Sequence, residues 1–194
     1  MAIENEIIRL GGVQPLEDQF YPLNQVDIEA IEESVTGNLP PDYVQLLSTY
    51  GEFLFVNSVV FEPEKQQPEY VHNEKLGIPN GTNFPGSGVA SIYGKRMNGK
   101  SFTLLKKLRV FRERMPEGFL PFADDGLGNQ LCLCVHPTNY QKVYWWDHEL
   151  EWDEADYEEE TGSAMPPAAK YQNVYLVANS LTEFFKKLEI AAEA

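Results

Sequence analysis

The apolar positions of this chain follow two patterns, short unbroken runs and stripes spaced three and four residues apart. Runs dominate the middle. Leu131–Val135 and Val143–Trp146 are short, rich in β-branched, Cys and aromatic residues, and bounded by turn formers, as buried strands are. Asp124–Asn129 and His136–Gln141 supply the turns, the second with Pro137, which has no N–H to give to a ladder. The stretch Phe119–Glu149 therefore predicts an antiparallel meander of three strands, Phe119–Phe122, Gln130–Val135 and Lys142–Trp146, with helices over one face.

Stripes flank the meander. Asn24–Val35 predicts a helix: Asn24 caps it, Asp27 nearly completes a capping box, Ile28, Ile31 and Val35 share one face, and Gly37 suits a left-handed stop. Asn38–Glu52 predicts a second, with Pro41 in the first turn, Asp42 at the positive end, and Tyr43, Leu46, Leu47 and Tyr50 in one stripe that stops at Gly51. Phe53–Phe61 reads as a strand interrupted at Asn57-Ser58 by a bulge or tight hairpin, and Val89–Tyr93 as a short strand. Ser101–Met115 is a helix capped by Ser101, with Leu104, Leu105, Leu108, Phe111 and Met115 inward. Asn173–Val177 is an edge strand, and Ser180 with Glu183 caps a last helix that turns Leu181, Phe184, Phe185 and Leu188 inward.

The remainder reads as loop. Glu62–Gly88 holds four prolines and four glycines, with Tyr70-Val71 pairing at a sheet edge. Residues 1–22 scatter Ile and Leu around Gly11-Gly12 and Pro15, as an appendage does. Residues 23–194 then form one domain with an exposed acidic insert at about 151–167. Runs of strand with helices before and after, and links too short for crossover helices, predict an α+β fold with a curved, mostly antiparallel sheet around a central meander.

Composition narrows the function. A chain of 194 residues with 43% hydrophobic and 12% aromatic content buries a sizeable core. A net charge of −15 argues against nucleic acid as a partner. No run reaches the roughly 18 apolar residues of a membrane span, and the start, MAIENEIIRL, has no apolar leader core. The only cysteines, Cys132 and Cys134, lie two apart on one strand face, poorly placed to bridge each other. They fit a reducing compartment, and the expectation is a soluble cytoplasmic protein.

In this order the elements resemble the SUKH superfamily, which includes a yeast cell-wall-synthesis regulator and many bacterial immunity proteins. The matching pieces are the amphipathic helix from Asn24, then Leu39-Pro40-Pro41-Asp42-Tyr43 opening a helix that stops at Gly51. They continue through Leu120-Pro121-Phe122-Ala123-Asp124-Asp125-Gly126, the strand Gln130–Val135, Val143–Trp146 with Asp147-His148-Glu149, and the closing helix with Ser180, Phe184 and Leu188. They cover about residues 24–190. The acidic insert and the first twenty residues depart from the pattern. The resemblance implies a non-enzymatic α+β domain, in bacteria a cytoplasmic antidote that binds and blocks a cognate toxin, often a nuclease. The yeast relative is a signalling scaffold, so a regulatory scaffold without a toxin is the alternative.

Candidate chemistry is weighed on the residues themselves. Gly94–Ser101 (GKRMNGKS) satisfies the phosphate-binding loop pattern between a predicted strand and helix. The antiparallel clustering of strands speaks against a nucleotide site, and a basic turn with Ser101 as helix cap is the plainer reading. Asp124, Asp125, Gly126 and Asn129 lack the ligand alternation and distant Glu of a calcium loop and read as a turn. Cys132, Cys134 and His136 alternate onto one strand face, where three adjacent ligands do not surround a tetrahedral ion, so the thiols read as core and no metal or other cofactor is expected.

Charge carries the remaining signal. Lys95–Arg114 holds eight basic residues and one acid; Asp147–Glu160 holds nine acids and no Lys or Arg. As plain solvated surfaces the two face water or each other. As function, the acids offer a surface to a cationic partner such as a phosphate-gripping nuclease, and electrostatic steering accelerates the encounter. The expected contact surface is Asp147, Glu149, Glu151, Asp153, Glu154, Asp156, Glu158, Glu159 and Glu160. Beside it stand Tyr140, Trp145, Trp146 and Trp152, and Asp124 and Asp125 form a weaker second patch. Alternation places Trp145 and Trp146 on opposite sides of their strand, so one of them at most is expected in the core.

Overall fold

A computed structural model describes residues 2–69, 83–96 and 102–192. The described residues form an open seven-stranded sheet and a three-stranded sheet, with helices packed on them, and every described strand pairing is antiparallel. The helices are α1 (Ala2–Arg9), α2 (Gln25–Val35), α3 (Pro41–Tyr50), α4 (Thr103–Phe111), α5 (Glu154–Thr161) and α6 (Leu181–Lys187). The strands are β1 (Val13–Pro15), β2 (Phe53–Phe55), β3 (Val59–Phe61), β4 (Ser87–Val89), β5 (Ser91–Ile92), β6 (Phe119–Asp124), β7 (Gln130–Cys134), β8 (Val143–Trp146), β9 (Val174–Ala178) and β10 (Glu189–Ile190). The fold is α+β, as expected. The large sheet runs β1-β2-β5-β6-β7-β8-β9 and the small one β10-β3-β4.

The meander is where the sequence places it, as β6-β7-β8 at the centre of the large sheet. Its ladder carries two irregularities. One falls between Pro121 and Ala123 in β6 against β7, the other between Val143 and Tyr144 in β8 against β9. The first has a local cause: Pro121 sits inside a central strand, where it cannot donate, and a bulge accommodates it. Past that bulge both Phe122 and Ala123 lie in the main core.

The caps follow the sequence closely. In α2 the Asn24 side chain accepts from the Asp27 N–H at 3.0 Å and Asp27 accepts from the Asn24 N–H at 3.1 Å, a complete capping box. The left-handed stop falls one residue early, on Thr36 (φ 53°) instead of Gly37. Pro41 opens α3. The Asp42 carboxylate accepts from the Thr182 hydroxyl at 3.0 Å and so ties α3 to α6. Ser180 caps α6 through the Glu183 N–H at 3.1 Å. The proposed Ser101 cap and the Tyr70-Val71 pairing lie outside the described residues.

Several expectations change. Phe53–Phe61 is neither a bulged strand nor a hairpin: β2 pairs with β1 and β5 in the large sheet, while β3 pairs with β10 and β4 in the small one. Val89–Tyr93 divides likewise, with β4 in the small sheet, β5 in the large one, and Ala90 between them. A run that passes from one sheet to another keeps its apolar character throughout, so its sequence looks continuous. Residues 2–15, expected as an appendage, enter the same core. Ile3, Ile7 and Leu10 are buried with the helices, and β1 forms one edge of the large sheet. The other edge, β9, is met by the loop before the small sheet's return, where the Glu64 and Glu69 N–H groups donate to Leu176 and Val174 carbonyls at 2.8 Å each.

Both faces of the meander are buried. Leu131, Leu133, Val143, Trp145, Tyr175 and Val177 join the main core under α1, α2, α3 and α6. Cys132, Cys134, Tyr144, Trp146, Val174 and Leu176 face the other way, onto Phe111, Met115 and Phe119. The expectation that one Trp at most is core is therefore corrected: Trp145 is 6% exposed and Trp146 0%. Trp145 stacks on Phe84 at 3.8 Å. Trp146 meets Phe111 edge-on, with the Arg114 guanidinium 5.2 Å from its ring.

Candidate functional site

The acidic stretch leaves β8 through a tied corner. The Asp147 N–H donates to the Asn173 carbonyl at 2.9 Å, and the Asn173 amide donates back to the Asp147 carbonyl at 2.6 Å. The Asp147 carboxylate accepts from the Glu149 N–H at 2.9 Å. Burial holds this carboxyl above the usual carboxylate range, against the backbone N–H groups of Glu149 and Leu150. Both carboxylate oxygens of Glu151 accept from the Arg114 Nε–H, at 2.9 and 3.0 Å, so the basic and acidic stretches do meet, at this pair.

Helix α5 follows. Asp153 caps it through the Asp156 N–H at 2.8 Å, and Gly162 (φ 68°) closes it. Tyr157 is its one buried residue; it packs with Ala169, Met165 and Trp152 in a small cluster apart from the two larger cores. Glu154, Asp156, Glu158, Glu159 and Glu160 are exposed. Helix physics opposes this arrangement. Glu154/Glu158 and Asp156/Glu160 are like-charge pairs four residues apart, and three acids crowd the negative end of the dipole with no base in the last turn. Each term costs a few tenths of a kcal/mol, and the Tyr157 anchor, its cap and its stop offset them.

Other predicted contact residues are placed elsewhere. Trp145 and Trp146 are interior and offer nothing to a partner. Trp152 is half-buried against Tyr157. Tyr140 is exposed, but the charges that raise its phenol after burial are Asp42 and Glu32, on α3 and α2, not the acids of 147–160. Asp124 and Asp125 hold the β6–β7 turn: Asp124 accepts from the Gly126 N–H and the Ser91 hydroxyl, Asp125 from the Leu127 N–H, the Ser87 hydroxyl and the Asn129 amide. These are Asx turns with their carboxylates engaged.

Gly94 has a structural reason to be Gly: a Cβ there meets the Glu52 nitrogen at 2.3 Å. Lys95 pairs with Asp27 at 2.7 Å and Arg96 with the buried Glu52 at 2.8 Å. Met97–Ser101 lie outside the described residues. The strand before the loop, β5, has antiparallel neighbours on both sides, so the parallel strand–loop–helix setting of a phosphate-binding loop is missing. Cys132 and Cys134 are buried free thiols, both raised by burial first. His136 is exposed and accepts from the Thr138 N–H.

Sequence reasoning missed a cleft of about 920 Å³ on the second face of the sheet. Its apolar lining includes Met115, Phe119, Pro121, Val135 and Tyr171. Its rim takes the C-terminal ends of α2 and α4 and the first residue of α5, Glu154. Five separated segments meet there, and no local pattern announces such a meeting.

Against known proteins, a family model described as the SMI1 / KNR4 family (SUKH-1) matches residues 22–187. The chain is also similar to the SPbeta prophage-derived uncharacterized protein YokK of Bacillus subtilis (strain 168). The two are 24% identical over 160 residues, covering 81% of this chain and 70% of that protein.

Proposed function

Because the chain belongs to the SMI1 / KNR4 family (SUKH-1), we propose that it works by stoichiometric protein binding, as an immunity protein that seats on a cationic toxin and blocks it. No bond is made or broken on it in this reading. Immunity proteins are frequent in the family. The observation that carries the reading is α5, a helix with five exposed acids, no base, and one buried anchor. Such a helix spends stability to keep carboxylates in water, which is what a surface for a basic partner requires. An enzyme that grips phosphate presents such a basic surface. Free buried thiols fit the cytoplasm, and no described helix is long and apolar enough to cross a membrane.

The test is binding to the protein encoded beside this one. Glu149, Asp156, Glu158, Glu159 and Glu160 are exposed and are each replaced by Lys. Calorimetric affinity is read at several salt concentrations between roughly 50 and 500 mM, across which the screening length shortens severalfold. Wild type should lose affinity steeply with salt. The variant should bind at least ten-fold more weakly at low salt, with a flat salt dependence. Equal low-salt affinity removes the acidic helix from the interface, and complete inhibition of the neighbour's enzymatic activity at well below one equivalent contradicts a stoichiometric block.

A further inference from the structure

We propose that the cleft receives an arginine or lysine side chain, flanked by apolar residues, from the partner protein. This rests on the protein-binding reading and adds where the partner's basic arm inserts.

The sign of the cleft follows from its lining, four carboxylates against two cations. Its two cations face backbone carbonyls: Arg112 donates to the Ser34 carbonyl at 3.0 Å, and Lys170 to the Glu113 carbonyl. Its four carboxylates, Glu33, Glu113, Glu117 and Glu154, are exposed and make no ion pair among the described residues. The C-terminal ends of α2 and α4 both open onto it and add the negative ends of two helix dipoles. The Tyr171 phenol in its wall is raised by burial first, then by negative neighbours including Glu117.

The lining selects more than charge. Tyr171, half-buried, is the aromatic surface the cleft offers, on which a guanidinium packs well, and the buried Phe119 and Met115 form the apolar floor behind it. The same apolar cluster already receives one: Arg114 lies 5.0 Å from the Phe111 ring and 5.2 Å from the Trp146 ring. A volume of about 920 Å³ is at the upper end of ligand clefts and admits a side chain with its flanking residues. Glu154 belongs to both α5 and the rim, so the acidic helix and the cleft form one continuous negative surface.

The probe is the capped peptide Leu-Arg-Leu-Arg-Leu, titrated into the 15N-labelled full chain. Amide shifts should centre on Gly118, Val135 and Tyr171. Leu-Glu-Leu-Glu-Leu should give none, and Gly-Arg-Gly-Arg-Gly should bind at least five-fold more weakly. Two variants keep the fold in view by leaving buried residues alone: Glu113→Lys/Glu117→Lys reverses the rim, and Ala168→Trp fills the space from an exposed position. Each should weaken the peptide ten-fold or more while circular dichroism and Tm stay unchanged. The five-Lys variant, four of whose changes lie on α5, spares the rim and should keep the cleft shifts. Shifts confined to the outer face of α5, or peptide affinity indifferent to both cleft variants, overturn the proposal. If the neighbouring-gene protein binds both cleft variants as well as wild type, the cleft proposal fails and the binding role stands; if it does not bind wild type, the role itself fails.

Discussion

Replacing Tyr157 by Ala isolates what holds the acidic helix in place. Tyr157 is 4% exposed and is the sole inward residue of α5, packed on Ala169, Met165 and Trp152. Removing a buried aromatic of this kind costs about 2–3 kcal/mol where the surroundings partly collapse. Only the Asp153 cap and the Gly162 stop then still support α5, against like-charge pairs and C-terminal acids that each oppose the helix by a few tenths of a kcal/mol. The opening equilibrium of residues 154–162 should then rise about 30- to 150-fold. Hydrogen exchange read by mass spectrometry should show those amides losing protection while β7 and β8 keep theirs. Because this cluster is separate from both larger cores, global Tm should fall by no more than about 2 °C. Tyr157→Phe keeps the ring and should restore most of the protection. Unchanged exchange in α5 refutes the anchor; a Tm loss of about 8 °C or more, with β7 and β8 opening together, refutes the independence of the cluster.

Two further outcomes follow from charges in unusual settings. Arg96→Ala leaves the Glu52 carboxylate, 2% exposed and with one oxygen already lacking a partner, without its cation; thermal unfolding should show a loss of about 2–3 kcal/mol, less for Glu52→Gln, and a change within 0.5 kcal/mol contradicts the pairing's role. Asp147 is held above the ordinary carboxylate value of 3.8 by burial. Its folded form therefore binds a proton more readily than its unfolded form, so it contributes stability below that value and loses it as pH rises through the folded titration. Stability of Asp147→Asn measured in urea should gain on wild type as pH climbs from about 4 towards 7; parallel curves for the two proteins disprove the shift.

Elements with a clear period and a chemical cap were legible in the sequence. Asn24 with Asp27, Pro41 and Ser180 with Glu183 each fixed where a helix begins, and alternation assigned Leu131 and Cys132 to opposite faces. What stayed hidden needs neighbours far along the chain. Nothing local in Val59 or Ser91 says which of two sheets takes it. Alternation separates Trp145 from Trp146 but does not reveal that α4 and the segment around Tyr171 cover the second face. Helix α5 has one apolar anchor in eight residues, too few for a period to appear. The exposed acids were legible as charge; the cleft beside them was not legible at all.

Burial of the meander on both sides has a consequence for how the chain finds its alignment. In a sheet wetted on one side, a strand that slips by one residue drives polar groups inward and is rejected at once. Here a slip of β8 exchanges Val143 and Trp145 for Tyr144 and Trp146, and either set is greasy enough to be accepted. Discrimination passes from polarity to shape, and the two bulges, at Pro121 and at Val143, act as detents that let the ladder click into one position. Straightening either bulge should therefore let a shifted β8 compete during refolding, seen as a new slow phase in stopped-flow fluorescence before equilibrium stability falls.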